Sequence, residues 1–308
     1  MRPKLQEVNL LNTLTRLTYR KEVLNVARWL RLTRPLRKLY HRCVISPDGL
    51  YRAGVLGHTC LYQVDSPQVM RNLESEFVRE TRFHEALASV LRPGDIFFDI
   101  GSNVGEFVIP IGKLVGPGGC VVAFEPQTLA HSRLQRNIAL NELSNVRAFK
   151  SALGTDNKVG TLSIAGVSSP SLRVKENRRS PGDESFQERP TGSDRASGSG
   201  ADSQDEEVQI YNGDWLRTNQ SLGLPRAVKI DVEGYEGEVI RGLSETLSAP
   251  ECVLMCCEIH PPLLPKGTDV QTIVNLAGEA GFDNKDVQVR PSARTTQVHL
   301  IARKTSHN

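Results

Sequence analysis

Short apolar segments alternate with helix-like segments from residue 96 to the end of the chain, and this alternation limits the choice of fold. The strand-like segments cover residues 96–100, 120–124, 146–150, 161–164, 227–231, 252–258, 285–289 and 297–303. The helix-like segments begin at residue 106 and also cover residues 128–141, 236–247 and 270–280. This alternation is typical of a doubly wound α/β fold with a mainly parallel sheet and helices on both faces. The last two strand-like segments follow each other directly, so we expect them to form an antiparallel hairpin.

The first 52 residues form a basic extension that differs from the rest of the chain. They carry twelve Lys and Arg side chains against three acidic ones. Val23, Val26 and Leu30 recur at helical spacing, so we predict a basic amphipathic helix. The sequence leaves two interpretations open. Residues 1–45 bind weakly and peripherally to an anionic membrane, or the helix packs on the main domain with a solvated basic face.

The predicted main domain covers residues 53–304, and a second unusual segment interrupts it at about residues 175–207. This segment is rich in Ser, Gly, Pro and charged residues, and Phe186 is its single large apolar residue. Such a composition cannot bury enough apolar surface to offset the entropy that is lost on ordering. We therefore predict a disordered insertion, whose role the sequence leaves open.

Charge, hydropathy and cysteine content argue against several classes of protein. A formal net charge of +3 over 308 residues is too small to indicate a nucleic-acid partner. No run of about 18 uncharged apolar residues exists, and basic residues interrupt the N-terminal apolar stretch, so we predict neither a membrane span nor a secretory signal. The six cysteines show no paired spacing, which favours buried thiols and a cytoplasmic location.

Acidic residues mark the ends of four predicted strands, and a glycine-containing turn follows the first of them. The acids are Asp99, Glu125, Asp231 and Glu258. In a parallel sheet, ligands bind at the edge formed by the carboxyl ends of the strands. Gly101 and Gly105 would let the N–H groups of the turn approach an anion at the start of the next helix. Glu125 follows Gly101 by 24 residues, a spacing at which an acid contacts ribose hydroxyls.

The same turn distinguishes between nucleotide ligands. No Lys-Ser or Lys-Thr pair follows it, so it is not a phosphate-binding P-loop. Asn103 occupies the second glycine position of the dinucleotide motif, where a pyrophosphate needs close approach to the backbone. S-adenosylmethionine has no phosphate, and its cationic groups favour carboxylates such as Asp99 and Asp231. The turn therefore favours S-adenosylmethionine, and an NAD-type oxidoreductase is left as the alternative.

Three motifs, in this order, resemble the FkbM family of S-adenosylmethionine-dependent methyltransferases. They are residues 97–105 (Phe-Phe-Asp-Ile-Gly-Ser-Asn-Val-Gly), 124–126 (Phe-Glu-Pro) and 229–236 (Lys-Ile-Asp-Val-Glu-Gly-Tyr-Glu). Residues 258–260 (Glu-Ile-His), together with Asn137 and Asn141, also fit the family pattern. The resemblance extends over residues 76–304. It implies a Rossmann-like class I methyltransferase fold with a seven-stranded, mostly parallel sheet, a reversed final strand and helices on both faces.

The resemblance also implies which residues bind the cofactor. It places the 101–105 turn under the methionine part of S-adenosylmethionine and Glu125 on the ribose. Ser151 and Ala152, which follow the third strand, are placed near the adenine. The complete set of implied cofactor-binding residues is Asp99, Gly101, Ser102, Asn103, Gly105, Glu125, Pro126, Ser151, Ala152 and Asp231.

Members of this family typically methylate hydroxyl groups, so the resemblance implies O-methylation of a sugar, a glycolipid or another small molecule. The candidate catalytic residues are Asp231, Glu233, Glu258 and His260. His260 has the unperturbed pKa that suits a general base, whereas a carboxylate would need desolvation for this role. Glu233 has a second interpretation, as the cap of the helix that follows Gly234.

Two further alternatives concern metal ions and catalysis itself. We predict no metal ion, and a magnesium site built from the strand-end acids is the alternative. A further hypothesis keeps the fold without catalysis, in a binding protein at a membrane surface. The strand-end acids argue against that hypothesis, because a purely structural sheet does not need them.

Overall fold

The computed structural model describes residues 49–64, 67–164, 171–173, 204–291 and 296–305. Its strands are β1 (Leu50–Val55), β2 (His58–Gln63), β3 (Ile96–Ile100), β4 (Cys120–Phe124), β5 (Val146–Phe149), β6 (Ala152–Gly154), β7 (Lys158–Ile164), β8 (Ser171–Arg173), β9 (Gln204–Asn212), β10 (Ala227–Ile230), β11 (Leu254–Ile259), β12 (Asn284–Pro291) and β13 (Thr296–Arg303). Its helices are α1 (Pro67–Arg79), α2 (Thr81–Val90), α3 (Val108–Val115), α4 (Thr128–Leu140), α5 (Gly213–Asn219), α6 (Glu236–Gly242), α7 (Ser244–Ser248) and α8 (Val270–Glu279), with a 3-10 helix at Pro261–Leu263.

A seven-stranded sheet forms the centre of the domain, in the order β12-β13-β11-β10-β3-β4-β5. Strands β3, β4, β5, β10 and β11 pair in parallel, and β13 runs antiparallel to both β11 and β12. This confirms the predicted Rossmann-like α/β fold with one reversed strand and a final hairpin. The order of strands reverses between β3 and β10, so the carboxyl ends of these two strands flank the crevice where such sheets bind ligands.

Each face of the central sheet has its own apolar core, and helices cover both faces as predicted. One core joins strand residues to α2, α3 and α4, and the other joins them to α6, α7 and α8. Cys256 belongs to the first core and Cys257 to the second, because successive side chains of a strand point to opposite faces. Within the described ranges, Cys60, Cys252, Cys256 and Cys257 are buried free thiols, and Cys120 is a half-buried one.

An N-terminal hairpin of β1 and β2 packs against α4 and was not predicted. Asn137 of α4 and Asn141, the residue that caps the C-terminus of this helix, lie one turn apart, and their amide oxygens accept hydrogen bonds from backbone N–H groups of β2, at 2.9 and 3.0 Å. Tyr62 in β2 donates to the carbonyl oxygen of Gly105, at 3.5 Å. The hairpin starts at Leu50, so the last residues of the predicted 1–52 extension belong to the folded domain. Residues 1–48, with the predicted amphipathic helix, lie outside the described residues.

A second sheet has four strands in the order β6-β9-β7-β8. In the sequence these strands lie between β5 and β10 of the central sheet. It includes the predicted strand at 161–164, which is longer than expected and covers Lys158–Ile164. Strand β9 begins at Gln204, so residues 204–207 are part of this sheet and not of the predicted insertion at 175–207. Most of that insertion, residues 175–203, lies outside the described residues.

One predicted helix is divided, and the bounds of some predicted strands are shifted. The helix predicted at 236–247 is divided into α6 and α7, which meet at Leu243. Strand β11 covers Leu254–Ile259 in place of 252–258. Among the residues that the structure describes, no helix has both the length and the apolar character needed to cross a bilayer.

Candidate functional site

The turn after β3 brings two loops of the switch point into backbone contact. Gly101 has a φ of +82°, and a Cβ at this position would lie 1.8 Å from the carbonyl oxygen of Asp231. The N–H groups of Gly101 and Ser102 both donate to the carbonyl of Phe124, at 2.9 and 3.1 Å. Glycine is therefore required because the loops after β3 and β10 touch. These amides already have protein acceptors, which corrects the expectation that glycine frees them for an anion.

Glu125 lies at this turn, where the sequence placed it. Its buried carboxylate accepts hydrogen bonds from the N–H groups of Asn103, at 2.8 Å, and Gln127, at 2.9 Å. Burial raises the pKa of Glu125 to about 7, although the two N–H donors act in the opposite direction. Asn103 has a φ of +45°, in the left-handed region that asparagine tolerates better than most residues. Glu125 thus holds the turn and presents a carboxylate at the end of β4.

A buried lysine, Lys229, connects the turn to the end of β10. In the strand register Lys229 lies beside Asp99, and its Nζ is 3.5 Å from Asp99 Oδ1 and 3.4 Å from Asp231 Oδ2. It also donates to the carbonyl of Gly101, at 3.1 Å, and lies 5.0 Å from the ring centroid of Phe107. Sequence analysis did not single out this residue. A lysine inside an otherwise apolar strand was the available signal, since such a group must be paired when buried.

The three charged groups of this cluster influence one another. Burial raises the pKa of Asp99 to about 6, and Lys229 only partly offsets this. Burial would also raise the pKa of Asp231, but Lys229 and His260 outweigh it and hold that pKa below its ordinary value. Burial alone would lower the pKa of Lys229, whereas the two aspartates raise it. The cluster therefore carries a fixed ammonium group between two carboxylates.

The four predicted catalytic residues come together at the ends of β10 and β11. His260 Nε2 lies 3.9 Å from Asp231 Oδ1 and 3.6 Å from Glu233 Oε2, and Nδ1 is hydrogen-bonded to Glu236 at 2.9 Å. The side chains of Asp231 and Glu233 are 28% and 24% exposed, while His260 and Glu258 are buried. The ring of His260 is thus surrounded by carboxylates, and two of them, those of Asp231 and Glu233, are partly exposed.

This environment changes the role expected for His260. Burial would lower the pKa of His260, but Glu236, Asp231 and Glu233 raise it to about 10. An imidazole with this pKa is protonated at neutral pH, which argues against His260 as the general base among the four candidate catalytic residues. Burial and Asp231 raise the pKa of Glu258 to about 7.

The alternative role for Glu233, as a helix cap, is not seen. Tyr235 is the N-terminal cap of α6, without a capping hydrogen bond from its side chain. Glu233 instead has a φ of +54°. Gly234, the next residue, has a φ of +100°, and a Cβ on it would lie 2.4 Å from the carbonyl of Leu263. This tight loop turns Glu233 toward His260.

Two further charged residues lie behind this group and were missed by sequence analysis. His299 of β13 has its Nε2 3.4 Å from Glu80 Oε1 and 3.6 Å from Glu258 Oε1. The ring of Phe83 stacks on His299 with centroids 4.4 Å apart. Only the antiparallel pairing of β13 with β11 places His299 beside Glu258, so no local signal could have indicated the contact.

The residues predicted to bind S-adenosylmethionine can be compared with the polar atoms that the protein itself leaves unpaired. Both carboxylate oxygens of Asp99 and the hydroxyl of Ser151 are buried without a hydrogen-bond partner among the described residues. The N–H of Glu125 donates to Phe149 at the end of β5, so Ser151 follows at the same edge of the sheet. Pro126 is half-buried beside Glu125, and Ala152 begins β6. These oxygen atoms can accept hydrogen bonds, and two of them are negatively charged when Asp99 is ionised, so they fit a polar, partly cationic ligand.

A seven-stranded sheet with one reversed strand and this acidic site at its switch point defines a Rossmann-like class I methyltransferase. The family model described as "Methyltransferase FkbM domain" matches residues 99–283, which is more than half of the chain. The chain belongs to the FkbM methyltransferase family.

Individual relatives are methyltransferases. The chain is 30% identical over 182 residues to "Methyltransferase 1" of Beauveria bassiana, which covers 56% of this chain and 69% of that protein. It is 28% identical over 191 residues to "Hexuronic acid methyltransferase AglP" of Haloferax volcanii, which covers 60% of this chain and 62% of the relative. The crystal structure of methyltransferase FkbM from Methylobacillus flagellatus superimposes with a TM-score of 0.40 and 14% identity, over 74% of this chain and 54% of that one.

Proposed function

We propose that the protein transfers a methyl group from S-adenosylmethionine to a hydroxyl group of a sugar, a glycolipid or another small molecule. One observation carries this proposal. Lys229 joins the Glu125-held turn to the accessible carboxylates near His260, through Asp99 and Asp231. A cofactor site and an acceptor site thus lie side by side at one edge of the sheet, as transfer between two bound molecules requires.

The residues of the turn fit the proposed cofactor. S-adenosylmethionine supplies a methyl carbon that its sulfonium group has already activated. In this proposal the carboxylate of Glu125 accepts hydrogen bonds from the two ribose hydroxyls. The oxygens of Asp99, one of which lies 3.5 Å from Lys229 Nζ, and the unpaired hydroxyl of Ser151 offer acceptors for the remaining polar groups. Burial of these acceptors makes each contact stronger than it would be in water.

The acceptor side supplies orientation and a place for the proton. An attacking hydroxyl must lose its proton, and general bases contribute on the order of 10²–10⁴-fold to such steps. The raised pKa of His260 favours a carboxylate as the group that takes up this proton. Asp231 and Glu233 are accessible and face the same imidazolium ring, which holds them in position. We assign acceptor binding and proton transfer to this pair.

The class of acceptor is supported by chemistry and by one relative. AglP is named for a hexuronic acid, a sugar that carries several hydroxyl groups. A pair of accessible carboxylates is suited to accept hydrogen bonds from such hydroxyls. The small net charge of the chain gives no support to a nucleic-acid acceptor. The binding of residues 1–45 to anionic membranes and the cytoplasmic location stay predictions.

Calorimetry and mass spectrometry test this function. Purified full-length protein is titrated with S-adenosylmethionine and separately with NAD, and we expect heat of binding only with the first. The protein is then incubated with labelled S-adenosylmethionine and a panel of uronic acids, neutral sugars and glycolipids, and methylated products are identified by mass. Asp231→Asn serves as the variant with reduced turnover. Binding of NAD alone, or cofactor binding without any methylated product, would refute the proposal.

A further inference from the structure

We propose that Asp231, Glu258 and His260 bind one divalent transition-metal ion on the acceptor side of the site. One ligand atom from each residue lies within 4.8 Å of the other two. Ligands bound about 2.1 Å from one tetrahedral zinc ion lie about 3.4 Å apart, so the site closes when these side chains move inward by about an ångström. The metal would take the place of the proton on Nε2 of His260, because only a deprotonated ring nitrogen can bind a metal. An imidazole nitrogen with two carboxylates is a donor set for zinc and similar metals, whereas magnesium prefers oxygen donors alone.

Each of the three residues is held by an outer partner through a different atom. Glu236 is fully buried and accepts from Nδ1 of His260, which leaves Nε2 directed at Asp231 and Glu233. Lys229 contacts Oδ2 of Asp231 and leaves Oδ1 on the side of His260. A carboxylate behind the second ring nitrogen is the usual arrangement for histidines that bind metals. The side chains are therefore oriented before any metal arrives.

Glu258 has an outer partner of the same kind. Its Oε1 lies 3.6 Å from Nε2 of His299. His299 is fully buried, and neither of its ring nitrogens has a hydrogen-bond partner among the described residues. Glu80, on the far side of this ring, is buried, and its Oε1 lies 3.4 Å from Nε2 of His299 without a hydrogen bond of good geometry. The pocket behind Glu258 thus keeps polar atoms that no internal hydrogen bond satisfies.

The balance of charge around the three residues also favours a cation. Six carboxyl groups meet here, those of Glu80, Asp99, Asp231, Glu233, Glu236 and Glu258. The cationic groups beside them are Arg79, Lys229 and, when protonated, His260 and His299. Negative charge therefore exceeds positive charge even with both histidines protonated. Buried charge without a partner is costly, and a divalent ion removes most of this excess.

The site is open on one side, as catalytic metal sites are. Asp231 is 28% exposed, while the other two proposed ligands are buried, so a fourth ligand reaches the metal from the side of Glu233. In its catalytic role, which rests on the proposed methyl transfer, the metal binds the acceptor hydroxyl and makes its proton more acidic. The O–H bond breaks, its proton passes to the carboxylate of Glu233, and the oxygen forms the new bond to the methyl carbon as the bond to sulfur breaks.

Metal binding itself is tested without any activity measurement. Full-length protein is freed of metal with EDTA, dialysed, titrated with zinc chloride or manganese chloride, and analysed for bound metal by mass spectrometry. We expect one equivalent of metal. Glu236→Gln touches no proposed ligand atom, and it should weaken affinity about 10–100-fold because it removes the outer partner of His260. His260→Gln and Asp231→Asn should each weaken it further, and His58→Gln, on the hairpin, is the matched control.

The variants also separate this site from its neighbour and from the proposed function. Loss of binding in His299→Gln with full binding in His260→Gln would move the metal to the Glu80–His299 pocket and overturn the proposal. Circular dichroism establishes that each variant is folded, and Asp231→Asn, at a partly exposed position, covers the case in which His260→Gln does not fold. Less than one bound equivalent of metal would refute the metal site, whereas undiminished methyl transfer by metal-free protein would refute its catalytic role and leave the proposed function intact. One bound equivalent of metal without methyl transfer would refute the proposed function and leave the metal site intact.

Discussion

Replacement of Glu125 by glutamine tests the cofactor site with the smallest change in shape. The carboxylate of Glu125 accepts one N–H from Asn103 and one from Gln127, and it is the acceptor that we assign to the ribose. Glutamine keeps the size and one oxygen. Its NH₂ group replaces the second acceptor and faces a backbone N–H, so one donor loses its partner. The variant therefore removes charge and one acceptor from the turn.

The expected loss of affinity follows from the kind of hydrogen bond that is removed. A hydrogen bond to a charged group contributes about 1.5–3 kcal/mol, which corresponds to a roughly ten- to 150-fold weaker binding of S-adenosylmethionine. The effect on folding should be smaller, because burial already penalises the charged form of Glu125 and raises its pKa to about 7. For the same reason, the affinity of the parent protein should increase as the pH rises through 7 and Glu125 ionises.

Isothermal titration calorimetry with S-adenosylmethionine at several pH values between 6 and 8 measures both effects. Glu279→Gln makes the same chemical change at an exposed position on α8 and is the matched control. We expect weak, nearly pH-independent binding for Glu125→Gln and parental binding for the control. A folded Glu125→Gln variant that binds as tightly as the parent protein would show that the turn and Glu125 do not form the cofactor site.

Three further predictions concern the stability of the site. Gly101→Ala places a Cβ 1.8 Å from a backbone oxygen at a φ of +82°, so it should lower the free energy of unfolding by about 3–5 kcal/mol in thermal denaturation. Gly57→Ala is the control, because Gly57 has a φ of +79° with no atom near the added Cβ, and it should lower that free energy by about 1–2 kcal/mol. Equal costs would contradict the loop contact. Lys229→Met leaves Asp99 buried without its cation and should lower the free energy of unfolding in urea by about 3–5 kcal/mol at pH 8, and by less at pH 5, where Asp99 is protonated. His260 has a folded pKa of about 10, above its ordinary 6.5, so its stabilising contribution is complete below pH 6.5 and is lost as the pH rises through 10. His260→Gln should therefore flatten the stability profile between pH 7 and 10, and an unchanged profile would contradict the raised pKa.

The sequence alone determined the type of sheet and the positions of its acidic strand ends. Alternation of strands and helices, the glycine turn and the adjacent Cys256 and Cys257 are local patterns, and periods of two and 3.6 residues specify which side chains share a face. The acids Asp99, Glu125, Asp231 and Glu258 could be assigned to one edge of the sheet because parallel strands end at a common edge. These predictions needed no knowledge of which strands are neighbours.

Only the tertiary structure determined what those acids do. Lys229 contacts Gly101, which lies 128 residues earlier in the chain, because β10 pairs with β3 at one particular register. His260 was one of four candidate catalytic residues because of its ordinary pKa, and Glu233 and Glu236, which lie against its ring, raise that pKa. A pKa depends on burial and on charges within a few ångströms. The sequence does not contain those distances, because they are created when segments far apart in the chain pack together.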